Sequence, residues 1–291
     1  MNGNDKIHKI IAQKFIDMIE NGMADGQWTA PWDKIASDIP MNFTNNRHYR
    51  GINIFLLWAS GYSSPYWGTY KQWKEAGAQV KKGEKGTMII FSKTVESKKK
   101  FDSDGNPETF PVLRYYKVFN SDQVEGWNAP SIGTREHETN EIHAYCDSII
   151  NATGAEIRHG GNMAMYVPSL DVINLPEFEA FHSADDYYQT AFHELVHWTG
   201  HESRLNRNIY NRFGDHAYAL EELVAELGAA IMGSRVGIDI STRIDHARYV
   251  KGWLNALKEK PSCLMHVASK SNQAVEFLLD FSNENNQAEA A

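Results

Sequence analysis

Residues 191–205 read AFHELVHWTGHESRL, and the pattern His193-Glu194-Leu195-Val196-His197 within them decides how the rest of the chain is read. On a helix, residues four apart share a face, so His193 and His197 can offer two imidazole nitrogens to one metal ion. Glu194 projects about 100° to the side of His193, where it can take a proton from a metal-bound water. Ser183 with Asp185 and Asp186 supplies a capped, acidic start, and Thr199-Gly200 supplies a stop. Tyr188, Phe192, Leu195 and Thr199 make one apolar face. The histidines fall on the opposite side, which is expected to be the wall of a cleft.

A catalytic metal needs a third protein ligand and an open position for water. Residues 218–234, YALEELVAELGAAIMGS, offer the candidate. Leu220, Leu223, Val224, Leu227 and Ile231 form one face of a second helix, and Ala225, Ala229 and Ala230 form a small-residue face that permits close helix contact. Glu222 and Glu226 fall within the small-residue face. Glu221 falls near Gly228 on the remaining side, where water is expected. A buried carboxylate is costly unless paired or bound to metal. Glu222 is therefore the expected third ligand, and Glu226 the carboxylate that orients a histidine through its other ring nitrogen. His201 departs from the HExxHxxGxxH spacing of three-histidine sites and ranks below Glu222.

The 291 residues suffice for two domains of ordinary size, and 42% hydrophobic content suits a globular chain. Two cysteines, Cys146 and Cys263, stand far apart in no CxxC pattern, which argues against a disulfide framework or a zinc finger and suits a reducing cytoplasm. No N-terminal signal peptide and no membrane span are expected. The net charge of −8 hides an asymmetry: residues 1–120 carry 17 Lys and Arg against 12 Asp and Glu, and residues 121–291 carry 12 against 25. Five of eight tryptophans (Trp28, Trp32, Trp58, Trp67, Trp73) also lie in the first part. A basic, aromatic half beside an acidic, metal-binding half points to a polyanion partner on the basic side.

Along the chain, residues 5–21 read as an amphipathic helix with Ile7, Ile10, Ile11, Phe15, Met18 and Ile19 on one side. Residues 26–32, GQWTAPW, read as a loop. Short helices are expected at residues 53–60 and 69–76. Residues 87–95 and 109–119 are strands of an antiparallel hairpin, with Asp104-Gly105 as the turn signal and a long basic tip that includes Lys98, Lys99 and Lys100. Residues 121–135 hold Gly126, Pro130 and Gly133 with little periodicity. A helix is expected at residues 136–153, then short strands at 163–167 and 171–175. The first of these is the expected edge strand of a sheet beside the motif helix, open to a peptide by strand addition. Two more helices follow at residues 245–258 and 264–281.

Arg47, Tyr49, Arg50, Trp67, Tyr70, Lys71, Trp73, Lys74, Lys81, Lys82 and Lys85 interleave flat aromatics with cations. Aromatics can stack on unpaired bases while cations neutralise the backbone, a combination that suits single-stranded nucleic acid without sequence preference.

The segments GQWTAPW (26–32), NNRHYRGIN (45–53), YWGTYKQWKEAGAQVKKGEKGT (66–87), VFNSDQVEGW (118–127), MYVPSLDVINLP (165–176), FHELVHWTGHESRL (192–205) and YALEELVAELGAA (218–230) together resemble the ArdC-type antirestriction proteins of conjugative plasmids and their mobile-element relatives. The resemblance implies an N-terminal domain that binds single-stranded DNA and a C-terminal zincin-like metallopeptidase domain. It implies His193 and His197 as ligands, Glu194 as general base and Glu222 as third ligand, in the segment Glu221-Glu222-Leu223-Val224-Ala225-Glu226. The fold expected is α+β: a small α+β domain with an antiparallel hairpin (residues 1–126), a linker (127–134), and a mostly helical zincin-like domain with a small sheet (135–291).

The function expected is a cytoplasmic antirestriction protein of a mobile element that binds single-stranded DNA and carries one divalent metal, zinc first and manganese second. Its peptidase site would act on a protein substrate that the sequence does not identify. His201, Tyr166 and Tyr218 are the possible oxyanion donors. Two alternatives stand beside this: a DNA-binding protein with a structural or inactive metal site, and a metallopeptidase whose basic domain recruits an acidic protein.

Overall fold

The structure is a computed structural model that describes residues 3–21, 38–130, 139–207, 216–240 and 247–289. The expected tryptophan loop at 26–32, residues 131–134 of the expected linker and the first two residues of the helix expected from Asp245 lie outside them. The described residues form an α+β fold, as the hydrophobic periodicities imply.

The N-terminal part holds α1 (Gly3–Asn21), α2 (Ile52–Trp58) and α3 (Tyr70–Glu75) around a five-stranded sheet. Its strands are β1 (Met41–Asn42), β2 (Arg47–His48), β3 (Tyr66–Gly68), β5 (Thr87–Phe101) and β6 (Pro107–Asn120), in the order β2-β1-β3-β6-β5. All neighbours are antiparallel except β1 and β3. A separate pair joins β4 (Gln79–Val80) to β7 (Val124–Glu125). Thr69 and Gln72 close the start of α3 with a reciprocal capping box.

The hairpin differs from its sequence reading. Strand β5 runs on through the expected basic tip and includes Lys98–Lys100, but its pairing with β6 breaks after Glu96 and resumes only at Phe101 opposite Pro107. The turn itself is short. Asp102 accepts from the backbone N–H groups of Asp104 and Asn106, and Gly105 takes a positive φ of 83°.

The C-terminal part sets a small sheet of β8 (Glu156–His159), β10 (Val172–Leu175) and β9 (Met165–Val167), in the order β8-β10-β9, beside helices α4 (Thr139–Ala152), α5 (Ala184–Thr199), α6 (His216–Val236), α7 (Ala247–Glu259) and α8 (Cys263–Glu289). Strand β9 lies at the edge and stops before Pro168. Strand β8 has no counterpart in the sequence reading: its four residues, EIRH, are mostly exposed and show no apolar alternation. No described helix is long and apolar enough to cross a membrane.

One hydrophobic core runs through both parts. Ile11, Phe15 and Ile19 of α1 and Ile52, Ile54 and Phe55 of α2 belong to the same buried cluster as Leu195, Leu223, Trp253, Leu264 and Leu278. Helix α1 packs on α7 and α8, and α2 packs on α8. Ile10 departs from its expected face and is exposed.

Candidate metal centre

Helix α5 starts as its sequence suggests, with the Ser183 hydroxyl accepting from the backbone N–H of Asp186 at 3.1 Å. The helix is not half-exposed, however. From Tyr187 to Thr199 every side chain except His197 is buried. The face that carries the histidines is covered by α6 rather than opening directly to water. Gly228 makes this possible: a Cβ there would stand 2.8 Å from Cγ2 of Val196 on α5. Gly228→Val is expected to cost roughly 1–3 kcal/mol by overpacking. It should also weaken cation binding by moving α6 away from the histidines. Thermal denaturation and metal titration of the same variant check both.

Across this contact the donors converge. Nε2 of His193 lies 3.7 Å from one Glu222 carboxylate oxygen, and Nε2 of His197 lies 3.7 Å from the other. One ligand atom from each of the three residues falls within 4.8 Å of the others. His193 and Glu222 are buried and His197 is nearly so. Two imidazoles and one carboxylate, turned inward in a poorly hydrated place, are a donor set that fits a divalent transition ion.

Behind the donors stands a carboxylate that the sequence reading placed in water. Glu221 is largely buried. It faces His197 Nδ1 at 3.3 Å and receives Arg207 through Nη2 at 2.8 Å and Nε at 3.1 Å. Arg207 also donates to the Val196 carbonyl and the Thr199 hydroxyl, which ties it to the end of α5. Burial pushes the Glu221 carboxyl up, but His197 and Arg207 outweigh it and hold the group below the ordinary carboxylate range. Glu226, the residue expected to orient a histidine, faces His193 Nδ1 at 3.8 Å. Each imidazole thus has a carboxylate on the side away from Glu222.

Burial lowers the proton affinity of His197, and Glu221, Glu222 and Glu194 together outweigh burial and raise its pKa to about 8. A cation entering the site therefore competes with a proton.

Glu194 is buried and points at the small sheet, where its Oε2 accepts the backbone N–H of Tyr166 on β9 at 2.7 Å. The three possible oxyanion donors are placed differently. The Tyr166 hydroxyl is engaged by Asp171 at 2.7 Å and by Arg204, whose guanidinium also covers the Trp198 ring at 3.8 Å. His201 Nδ1 pairs with Ser203 at 2.8 Å. The Tyr218 hydroxyl lies beside Glu222 and Tyr249, and burial followed by these neighbours pushes the phenol up, so it stays protonated.

The expected nucleic-acid residues divide. Arg47, Arg50, Lys71, Lys82 and Lys85 are exposed. Lys81 is exposed too, and its ammonium donates to the Asp122 carbonyl. Trp67 and Trp73 do not fit the expectation of base-stacking residues: they are 1% and 0% exposed. Trp67 packs with Leu57 and Val118, and Trp73 lies flat on Phe43 at 3.7 Å with its indole N–H on the Phe119 carbonyl. Tyr49 is partly buried against the Trp67 cluster. These rings hold the N-terminal fold together.

Comparison with known proteins adds the family. Residues 5–119 match the N-terminal domain of the anti-restriction factor ArdC, and residues 144–270 match the zincin-like metallopeptidase family. Over 292 residues the chain is 39% identical to the DNA primase TraC of Escherichia coli, which takes in 94% of this chain and 27% of TraC, so the chain spans about a quarter of that relative's length. Two crystal structures of the antirestriction protein ArdC from plasmid R388, each 36% identical, share the fold. The metal-free one has a TM-score of 0.77 and is matched over 95% of this chain and 98% of that one. The Mn(II)-bound one has a TM-score of 0.75 over 94% and 97%. With both domains present in this order and the fold shared over nearly its whole length, the chain belongs to the ArdC antirestriction family.

Proposed function

We propose that this protein shields single-stranded DNA of a mobile element from restriction in a recipient cell and carries a metal-dependent peptidase site. The observation that carries the peptidase reading is the convergence of His193, His197 and Glu222, with Glu194 next to His193 on the same turn. The Mn(II)-bound relative supports a divalent cation, and the nitrogen-rich donor set also suits zinc. His193, His197 and Glu222 would hold it. Bound there, the cation would polarise a scissile carbonyl and acidify water.

The chain's own residues supply the rest. Glu194 Oε1 takes the proton of the attacking water, while the Tyr166 N–H holds Oε2 in place. Glu221 and Glu226 keep the imidazole rings turned so that Nε2 faces the donor cluster. The Tyr218 hydroxyl, protonated and beside Glu222, is the best placed of the three donors to meet an oxyanion. Strand β9 walls the donor cluster on this side as the edge of its sheet, its central N–H already taken by Glu194.

The DNA reading is supported by the match to the ArdC N-terminal domain and by the exposed cations of that part. Two measurements test the whole: hydrolysis of an unfolded protein by chelated and by metal-reloaded enzyme, and binding of a mixed-sequence oligonucleotide, single-stranded and duplex, at two salt concentrations. Metal-restored cleavage and preference for the single strand are expected. Absence of cleavage in both enzyme forms overturns the peptidase reading, and absence of binding at low salt overturns the DNA reading.

The burial of His193, Glu194 and Glu222 favours a second reading, in which the cation only clamps α5 to α6. Protection of DNA that survives Glu194→Gln, with no cleavage by the wild type, would select it.

A further inference from the structure

The solvent face of the β5–β6 ribbon carries the features that the buried tryptophans lack. Residues opposite each other in an antiparallel pair share a face, and the register pairs Ile89 with Tyr116, Phe91 with Arg114, Lys93 with Val112 and Val95 with Phe110. One face therefore displays Phe91, Phe110 and Tyr116, which are 55%, 46% and 46% exposed, interleaved with Lys93 and Arg114. None of these eight residues is acidic. The opposite face turns Ile90 and Leu113 into the main core, beside the exposed Tyr115.

Large exposed rings on a soluble fold mark an interaction surface. Strand addition is hindered here where side chains already occupy part of each ribbon edge. The Asn53 amide pairs with both the N–H and the C=O of Ile90 on β5. The Asn4 amide does the same between Pro111 O and Leu113 N on β6. What remains open is the flat face.

We propose that this face, with Phe91, Phe110 and Tyr116 as stacking platforms and Lys93 and Arg114 as phosphate contacts, is where single-stranded DNA lies. The inference rests on the DNA reading above and moves the binding surface from the tryptophan cluster to the ribbon. Phe91 and Tyr116 are diagonal neighbours roughly 7–8 Å apart. Phe110 lies opposite a position four residues further along, roughly 13 Å from Phe91. The rings are thus spread along a path that successive unpaired bases can follow. A duplex hides its base faces, so the same rings offer it nothing to stack on. An acidic protein would gain from the two cations but not from rings spaced between them.

The test uses the full chain and a labelled oligonucleotide of mixed sequence. Phe91→Ser, Phe110→Ser and Tyr116→Ser together are expected to weaken single-strand binding about ten-fold or more, with the salt dependence unchanged. Lys93→Ala with Arg114→Ala is expected to lower the slope of log affinity against log salt by about 1.4, since each phosphate contact on a single strand contributes about 0.7. All five side chains are exposed, so an unchanged melting temperature is expected. Photo-crosslinking of iodouracil-containing DNA to the wild type gives a readout independent of any variant and should map to these rings. Wild-type affinity in the triple variant, or crosslinks confined to other segments, overturns the inference and leaves the face to a protein partner. A wild type that binds no single strand at low salt overturns the DNA reading itself.

Discussion

Glu194→Gln is expected to lower peptide hydrolysis by roughly two to four orders of magnitude, the usual contribution of a positioned general base. The substitution keeps shape and removes proton affinity. Its amide oxygen can still accept the Tyr166 N–H, so β9 and α5 keep their spacing. The three side chains proposed to hold the metal are untouched, and DNA binding, proposed for the other part of the chain, should match the wild type. Glu194 is also one of the charges that raise the His197 pKa, so the variant should release its proton more readily and bind metal at slightly lower pH. Single-turnover cleavage, metal titration and oligonucleotide binding on one preparation check these outcomes together. Cleavage at the wild-type rate would remove Glu194 from the mechanism.

The second large effect is expected at Arg207, outside the proposed metal-holding set. Arg207→Ala leaves the Glu221 carboxylate buried without its guanidinium, and breaking such a pair by removing one partner typically costs about 3–5 kcal/mol. The side chains are 4% and 11% exposed, so solvent does little to screen the loss. Arg207 also closes two acceptors at the end of α5, the Val196 carbonyl and the Thr199 hydroxyl. With Glu221 displaced, His197 loses the group that orients it, and metal affinity should fall by about 10–100-fold.

The pH dependence has a definite sign. Glu221 in the wild type sits below its ordinary value of 4.5, so its contribution to stability is present above that pH and is lost as pH falls through the folded value. Without Arg207 two of the causes that lower the carboxyl are gone and it rises relative to the wild type, so the variant should be most destabilised near neutral pH. The gap from wild type should narrow towards pH 4.5. Melting curves across that range, with and without added metal, check it. A gap that is flat with pH would mean that Arg207 acts through its α5 contacts alone.

Much of the site was legible in the sequence because helical spacing is nearly rigid. His193, Glu194 and His197 lie where the period of 3.6 puts them, and Glu222 meets them because the Ala-rich face of α6 allows close approach. Glu221 was misplaced for a reason visible in the sequence. It stands seven residues from Gly228, two turns along the same stripe, and that glycine marks where Val196 of α5 approaches rather than where water enters. Arg207 gave no such signal, since it reaches Glu221 from a turn beyond the motif helix and loop geometry has no period. Trp67 and Trp73 carry the ambiguity of all large aromatics, whose composition is the same in a core and on a binding face. Exposed Phe91, Phe110 and Tyr116 share one ribbon face only once strand register is known, and a one-residue slip would exchange the two faces. Strand β8 was missed because a short, polar strand leaves almost no alternation to read.

The core shared by α1, α2 and the C-terminal helices ties the two parts of the described chain together by buried contacts. Anything that binds only the folded form then raises the free energy of the larger openings that break this shared core. A cation between α5 and α6 would slow proteolysis of the ribbon, and DNA on the ribbon would slow loss of the cation, with no conformational signal passing between them.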